Sequence, residues 1–158
     1  MALFPLCAHA ESTYFRGYRF SAEVIPAATC GTFAGREGMA YSVRLSNPLP
    51  VRVAAALTVD GLNSIDGSAT DAQYAPKWII EPYGTIEVRG WQTGPESLRR
   101  FVITRASDSY ARWRERMTGI PLDGRLGEIE VAYFWNSSDL QTEQRWRSRS
   151  GVVGAWPE

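Results

Sequence analysis

Residues 41–91 read YSVRLSNPLPVRVAAALTVDGLNSIDGSATDAQYAPKWIIEPYGTIEVRGW, and the fold class is legible in their alternation. Tyr41, Val43 and Leu45 alternate with Ser42, Arg44 and Ser46. Successive side chains along a strand point to opposite faces, so this spacing gives one apolar face and one polar face. Asn47-Pro48-Leu49-Pro50 then turns the chain, because Pro fixes φ and Asn favours turn geometry. Val51, Val53, Ala55, Leu57 and Val59 alternate with Arg52, Ala54, Ala56, Thr58 and Asp60. The two segments predict a hairpin with one dry and one wetter face. A polar loop follows from Asp60 to Ser68, then a short strand at Trp78–Ile80. Glu81-Pro82-Tyr83-Gly84 carries Pro second and Gly fourth, as a type I turn prefers. Thr85 to Trp91 alternates again, with Ile86 and Val88 inward.

Outward from this stretch, strand signals continue. Tyr14, Arg16, Tyr18, Phe20, Ala22 and Val24 share a face by period two, which predicts one strand from Tyr14 to Val24. Thr93-Gly94-Pro95-Glu96 resembles a capping box and predicts a turn of helix before the strand at Phe101–Ile103. Ser107 or Asp108 is expected to cap a helix over Ser109–Met117, and Gly119, Pro121 and Gly124 break the chain after it. Ile129, Val131, Tyr133 and Trp135 form the inward face of the last strand. Six or seven strands joined by Pro/Gly turns predict an all-β domain, an antiparallel β-sandwich of jelly-roll type or an open barrel, with one short helix. Residues 1–13 are expected to be a leader or arm, 14–135 the sandwich, and 136–158 an Arg/Trp-rich tail serving as an edge strand or partner arm.

The chain has 158 residues, enough to bury a core in one domain. Its seventeen basic and seventeen acidic side chains cancel. A neutral chain has no global field to steer nucleic acid or an anionic membrane, so neither is expected as a partner. No run approaches the roughly 20 apolar residues of a membrane span. The first ten residues, MALFPLCAHA, end in a small-x-small pattern that resembles the tail of a signal peptide, without the basic start. They read equally as a first strand. Cys7 and Cys30 are the only cysteines, and they read as one disulfide in an exported protein or as two buried thiols.

The segments YSVRLSNPLPVRVAAALTVDGLNSIDG, KWIIEPYGTIEVRGWQT, RRFVIT and SYARW resemble a family of small uncharacterised, often exported bacterial β-rich proteins. Members carry a hairpin ending in V-D-G-L-N-x-I-D, then a K-W strand, a G-W-Q-T segment and an R-R-F strand. The resemblance spans about Gly38 to Trp135. It implies a β fold and export to the periplasm or outside the cell, a cytoplasmic setting being the alternative, and it implies no reaction. The chain departs from the pattern at its leader and in its longer tail.

His9 is the only histidine and lies in the possible leader. The body of the domain therefore lacks an imidazole base for a Ser-His-Asp or Cys-His mechanism. Two Cys and one displaced His also cannot close a zinc site. There is no phosphate-binding G-x-x-x-x-G-K-[ST] loop, and Gly31, Gly35 and Gly38 are too widely spaced for a dinucleotide fingerprint. Asp60, Asn63, Asp66 and Asp71 offer hard oxygen ligands on a Gly-containing loop, which suits calcium, although their spacing is not that of an EF-hand. The competing reading gives Asp60 and Asn63 to their own turns, with Gly61 and Gly67 at positive φ. Glu128 and Glu130 lie two residues apart on one strand face, roughly 6.5–7 Å, which is near the separation of paired glycosidase carboxylates. Alternating Glu on a strand is far more often a solvated face.

All six Trp follow Lys77. Trp78, Trp91 and Trp135 close strands and are expected in the core or at its edge. Trp113, Arg145, Trp146, Arg147 and Trp156 are the expected partner-binding residues, since Trp and Arg are the side chains that anchor interfaces. The sequence thus predicts a non-enzymatic interaction or assembly module, exported, binding a protein partner or itself, with no cofactor. A carbohydrate-binding module with a calcium-supported loop is the alternative, and a carboxylate hydrolase on Glu128 and Glu130 a further one.

Overall fold

The computed structural model describes residues 11–26, 35–122 and 124–150. Cys7, His9, Cys30 and Trp156 lie outside them. The described residues form two antiparallel sheets packed as a β-sandwich. The larger, six-stranded sheet holds β1 (Glu11–Phe15), β2 (Tyr18–Ile25), β3 (Ala40–Ser46), β7 (Thr85–Val88), β8 (Gly90–Gly94) and β9 (Ser97–Val102). The four-stranded sheet holds β4 (Val53–Val59), β5 (Leu62–Asn63), β6 (Trp78–Ile80) and β10 (Ile129–Phe134). A 3₁₀ turn at Ala72–Tyr74 and two helices, α1 (Tyr110–Thr118) and α2 (Ser137–Ser150), complete the described elements, together with a second 3₁₀ turn at Ala106–Asp108.

The alternation of β3 and β4 is as expected, but their connection is not. Val43 and Leu45 are buried, as are Val53, Ala55, Leu57 and Val59. The two strands belong to different sheets, so Asn47–Pro50 is an arch between layers rather than a hairpin turn. Pro48 and Pro50 lack the N–H groups that a hairpin ladder would use. The segment Glu81–Gly84 makes a second arch, from β6 back to β7, and the two arches lie side by side. Asn47 N–H donates to the Gly84 carbonyl at 2.9 Å, and Tyr83 N–H donates to that of Leu49 at 3.1 Å. Asn47 Nδ2 then donates to the carbonyls of Val51, Ile80 and Glu81 at 2.8, 3.2 and 2.9 Å, while its Oδ1 accepts from Leu49 N–H at 2.8 Å. The Glu81–Gly84 turn is closed by Gly84 N–H on the Glu81 carbonyl. Tyr83 has φ 56°, the positive angle that a type II turn places at its third residue, so it is not the type I turn expected.

Two other local expectations are corrected. Tyr14–Val24 is not one strand: Arg16 (φ 47°) and Gly17 (φ 85°) form a two-residue turn between β1 and β2. Positive φ at both turn positions matches the strand twist, which is why such turns make tight hairpins. Thr93–Glu96 is not a helix start but the tip of the β8–β9 hairpin, with Gly94 opposite Ser97. Gly90 opens β8, and a larger residue would not fit there, because a Cβ would lie 2.0 Å from the Arg99 carbonyl oxygen.

The core has two main clusters. The larger joins Val43, Leu45, Val88, Trp91 and Phe101 of one sheet to Ala55, Leu57, Val59, Leu62 and Ile80 of the other, and Ala111 of α1 packs on it. Small Ala55 stands opposite both Trp78 and Tyr133, which makes room for the rings. The second cluster is Phe20, Leu49, Val53 and Leu140, the last from α2. On the outer face of β4, Ala56 meets Ala72 and Ala75, so the 3₁₀ turn covers a face expected to be wet. Ser109, not Ser107 or Asp108, caps α1: its Oγ accepts from Arg112 N–H at 3.2 Å, and Gly119 at φ 71° ends the helix.

Candidate functional site

Over its described residues the tail is helical rather than an edge strand. Residues 137–150 form α2, and Asn136 caps it, Oδ1 accepting from Ser138 N–H at 2.8 Å and Asp139 N–H at 3.3 Å. Leu140, Gln144 and Arg147 are among the side chains that dock the helix. Leu140 is buried in the second core cluster. Gln144 Nε2 donates to Tyr18 Oη at 3.3 Å. Arg147 donates to Glu143 at 2.8 Å and to Tyr83 Oη at 2.9 Å, with its guanidinium 5.4 Å from the Tyr83 ring centre. Positions 140, 144 and 147 recur at helical spacing and so share a face.

The neighbouring face carries Gln141, Arg145, Ser148 and Arg149, again at helical spacing. With Gln144 and Arg16 they line an open groove of about 400 Å³. Arg16 comes from the β1–β2 turn, its guanidinium 5.3 Å from the Phe15 ring centre. Among the described residues no carboxylate pairs with Arg16, Arg145 or Arg149. Trp146 lies beside this face, 58 % exposed. The predicted trio therefore divides its roles: Arg147 docks the helix, Arg145 faces the groove and Trp146 meets solvent. Arg16 was missed by sequence reasoning. Its signal was the Arg16-Gly17 pair, a turn read as strand.

Trp113 lies apart from α2, on α1. It stacks on Tyr110 with ring centres 5.5 Å apart and 15° between planes, and Arg99 sits over both rings at 6.0 and 4.8 Å. It is 42 % exposed, as expected, whereas Trp91 is buried.

The four calcium-candidate residues take separate partners. Asn63 is fully buried; its Oδ1 accepts from Ile65 and Asp66 N–H at 2.8 and 3.3 Å, and its amide donates to the Pro76 carbonyl at 3.1 Å. Asp66 accepts from Ser68 N–H and Oγ at 2.9 and 2.7 Å. Asp71 pairs with Arg125 at 3.0 Å. Asp60 reaches across to Gly127 N–H at 2.6 Å. Among the described residues no three Asp, Glu, Cys or His side chains converge on a point that could hold a metal ion. The loop is held by Asx turns and an ion pair instead, with Gly61 and Gly67 at positive φ. Glu128 and Glu130 both reach Arg125, at 4.0 and 3.3 Å, and Glu130 also accepts from Ala72 N–H at 3.0 Å.

A second concavity was not foreseen as a site. Asp60-Gly61, at φ 55° and 73°, makes the tight β4–β5 turn and aims the Asp60 carboxyl at the start of β3. A cavity of about 100 Å³ opens there, lined by Tyr41, Asp60, Val102, Ile103, Thr104 and Leu126 among others. Burial holds the Asp60 carboxyl above its usual range, against the pull of the Gly127 N–H. Burial, and then the Asp60 charge, push the Tyr41 hydroxyl up. The sequence marked Asp60 as a candidate beside Asn63, Asp66 and Asp71; in the fold it lines this cavity with Tyr41. Compared with protein-family models, curated proteins and solved structures, the chain matches none.

Proposed function

We propose that this protein is a non-enzymatic interaction and assembly module that grips an acidic segment, of a protein partner or of a neighbouring copy, along α2. The observation that carries this reading is the groove in which Arg16, Arg145 and Arg149 face solvent without carboxylate partners among the described residues. Unpaired Arg beside an exposed Trp is the side-chain combination that anchors interfaces. A chain of zero net charge does not repel its own copies, so a local basic groove can find acid on an identical neighbour. The exported setting belongs to the same proposal and rests on the Met1–Ala10 sequence.

Removing the whole tail is a poor test, because it would uncover the Phe20–Leu49–Val53 cluster. Charge reversal at Arg145 and Arg149 leaves the docking face intact. Light scattering should show a mass above the monomer, or fluorescence anisotropy should show binding of a labelled oligo-glutamate peptide, and Arg145→Glu/Arg149→Glu should abolish whichever is seen. A monomer that ignores the peptide overturns the proposal. The exposed ring of Trp113 favours the carbohydrate reading as the second choice, and quenching of Trp fluorescence across a glycan series tests it.

A further inference from the structure

We propose that the cavity between Tyr41 and Asp60 is a binding site for a primary alkylammonium group, the cation held by the Asp60 carboxylate and Tyr41 hydroxyl and its stem by Val102, Ile103 and Leu126. The proposal stands apart from the α2 groove and holds whether or not that groove takes a partner.

Asp60 is half-buried, yet no cation of the described residues pairs with it. The guanidinium on the adjoining turn, Arg125, is committed to Asp71, Glu128 and Glu130. Oδ1 of Asp60 accepts from Gly127 N–H, and Oδ2 has no donor among the described residues. The Tyr41 hydroxyl has no hydrogen bond among them either, although its ring is fixed on Phe101 at 5.4 Å. Asp60 and Tyr41, each with an oxygen that lacks a partner among the described residues, therefore line one small cavity. Such an arrangement opposes folding on its own and is relieved by a cation.

The class of cation follows from the acceptors. A guanidinium fork prefers both oxygens of a carboxylate, and one is already occupied. An ammonium is a compact point charge with three donors, suited to one carboxylate oxygen and one hydroxyl. The remaining walls are mostly apolar, Val102, Ile103, Ala106 and Leu126 outnumbering Thr104 and Ser109, which suits an alkyl stem.

Amide chemical shifts of the full chain, titrated with n-butylammonium, should move at Asp60, Val102 and Gly127, with n-butanol as the neutral control of similar size. Asp60→Asn keeps the acceptor for Gly127 and suits the turn, since Asn before Gly favours positive φ. It should weaken butylammonium binding at least tenfold, and acidification should weaken it in the wild type as the carboxyl takes up its proton. Nα-acetyl-lysine amide distinguishes the two sources of the same chemistry. Binding of it as tight as butylammonium points to a Lys side chain of a partner, and binding of butylammonium alone points to a small free amine. Equal shifts with butanol, or unchanged affinity in Asp60→Asn, overturn the proposal.

Discussion

Asn47 is 2 % exposed and spends its whole amide on backbone groups of the two arches. An alanine there would leave three carbonyls and one N–H short of a partner in a dry place. Each buried unsatisfied group costs about 1–3 kcal/mol, and some of these carbonyls regain water on relaxation, so Asn47→Ala should destabilise by about 3 kcal/mol in urea unfolding. An aspartate at the same position would keep only the acceptor, so Asn47→Asp should be at least as damaging. Asp60 makes a prediction of opposite sign. Its carboxyl titrates higher folded than unfolded, so between the ordinary value of 3.8 and the raised one the folded state binds more protons. Stability contributed by the neutral acid is therefore full at low pH and lost as pH rises through that window. Asp60→Asn should raise Tm at pH 7, and its advantage should shrink below pH 3.8. A variant less stable than wild type at pH 7 would show the charge to be compensated. Both residues were visible in the sequence as turn formers. Their distant partners, Ile80 and Gly127, were not, because a side-chain amide or carboxylate does not encode the backbone it will meet.

At the level of elements, the described docking face of α2 carries one buried apolar side chain, Leu140, beside polar contacts from Gln144 and Arg147. Truncating a buried Leu costs about 2–5 kcal/mol. Leu140→Ala should therefore release α2 before the sandwich melts, seen as loss of helical circular dichroism with β signal retained and rapid amide exchange over 137–150. Loss of the whole fold in one step would instead make α2 part of the cooperative core. The helix was hidden from sequence reading because Leu140 is the single apolar residue on its docking face, and an amphipathic pattern needs several. Strands β3, β4, β7 and β10 were legible for the converse reason: alternation of Val, Leu and Ile with polar residues leaves little choice of face. The turns were less legible. Thr93–Glu96 satisfies a capping box and also a hairpin tip, and the pairing of Trp91 with Arg99 decides between them.

For the molecule as a whole, balanced charge places any electrostatic recognition in local patches. The groove beneath α2 is open, so its field is screened within a Debye length, about 10 Å at 0.1 M salt. Binding of an oligo-glutamate peptide should fall roughly tenfold when salt rises from 0.05 to 0.5 M, and butylammonium in its smaller, partly buried cavity should lose less. Titrations of both ligands at the two salt concentrations check this. Equal salt sensitivity would mean that the cavity is as wet as the groove.

The sequence by itself determined the fold class, the inward residues of most strands, the exposure of Trp113 and Trp146 and the α1 helix, because periodicity, turn residues and capping act over a few positions. Only the tertiary structure decided that β3 and β4 part into different sheets, that residues 137–150 coil into a helix, that Arg16 joins Arg145 and Arg149, and that Asp60 faces Tyr41 rather than Asp66 and Asp71. Each of these depends on contacts between residues distant in the chain, which sheet pairing and core packing select and local patterning does not.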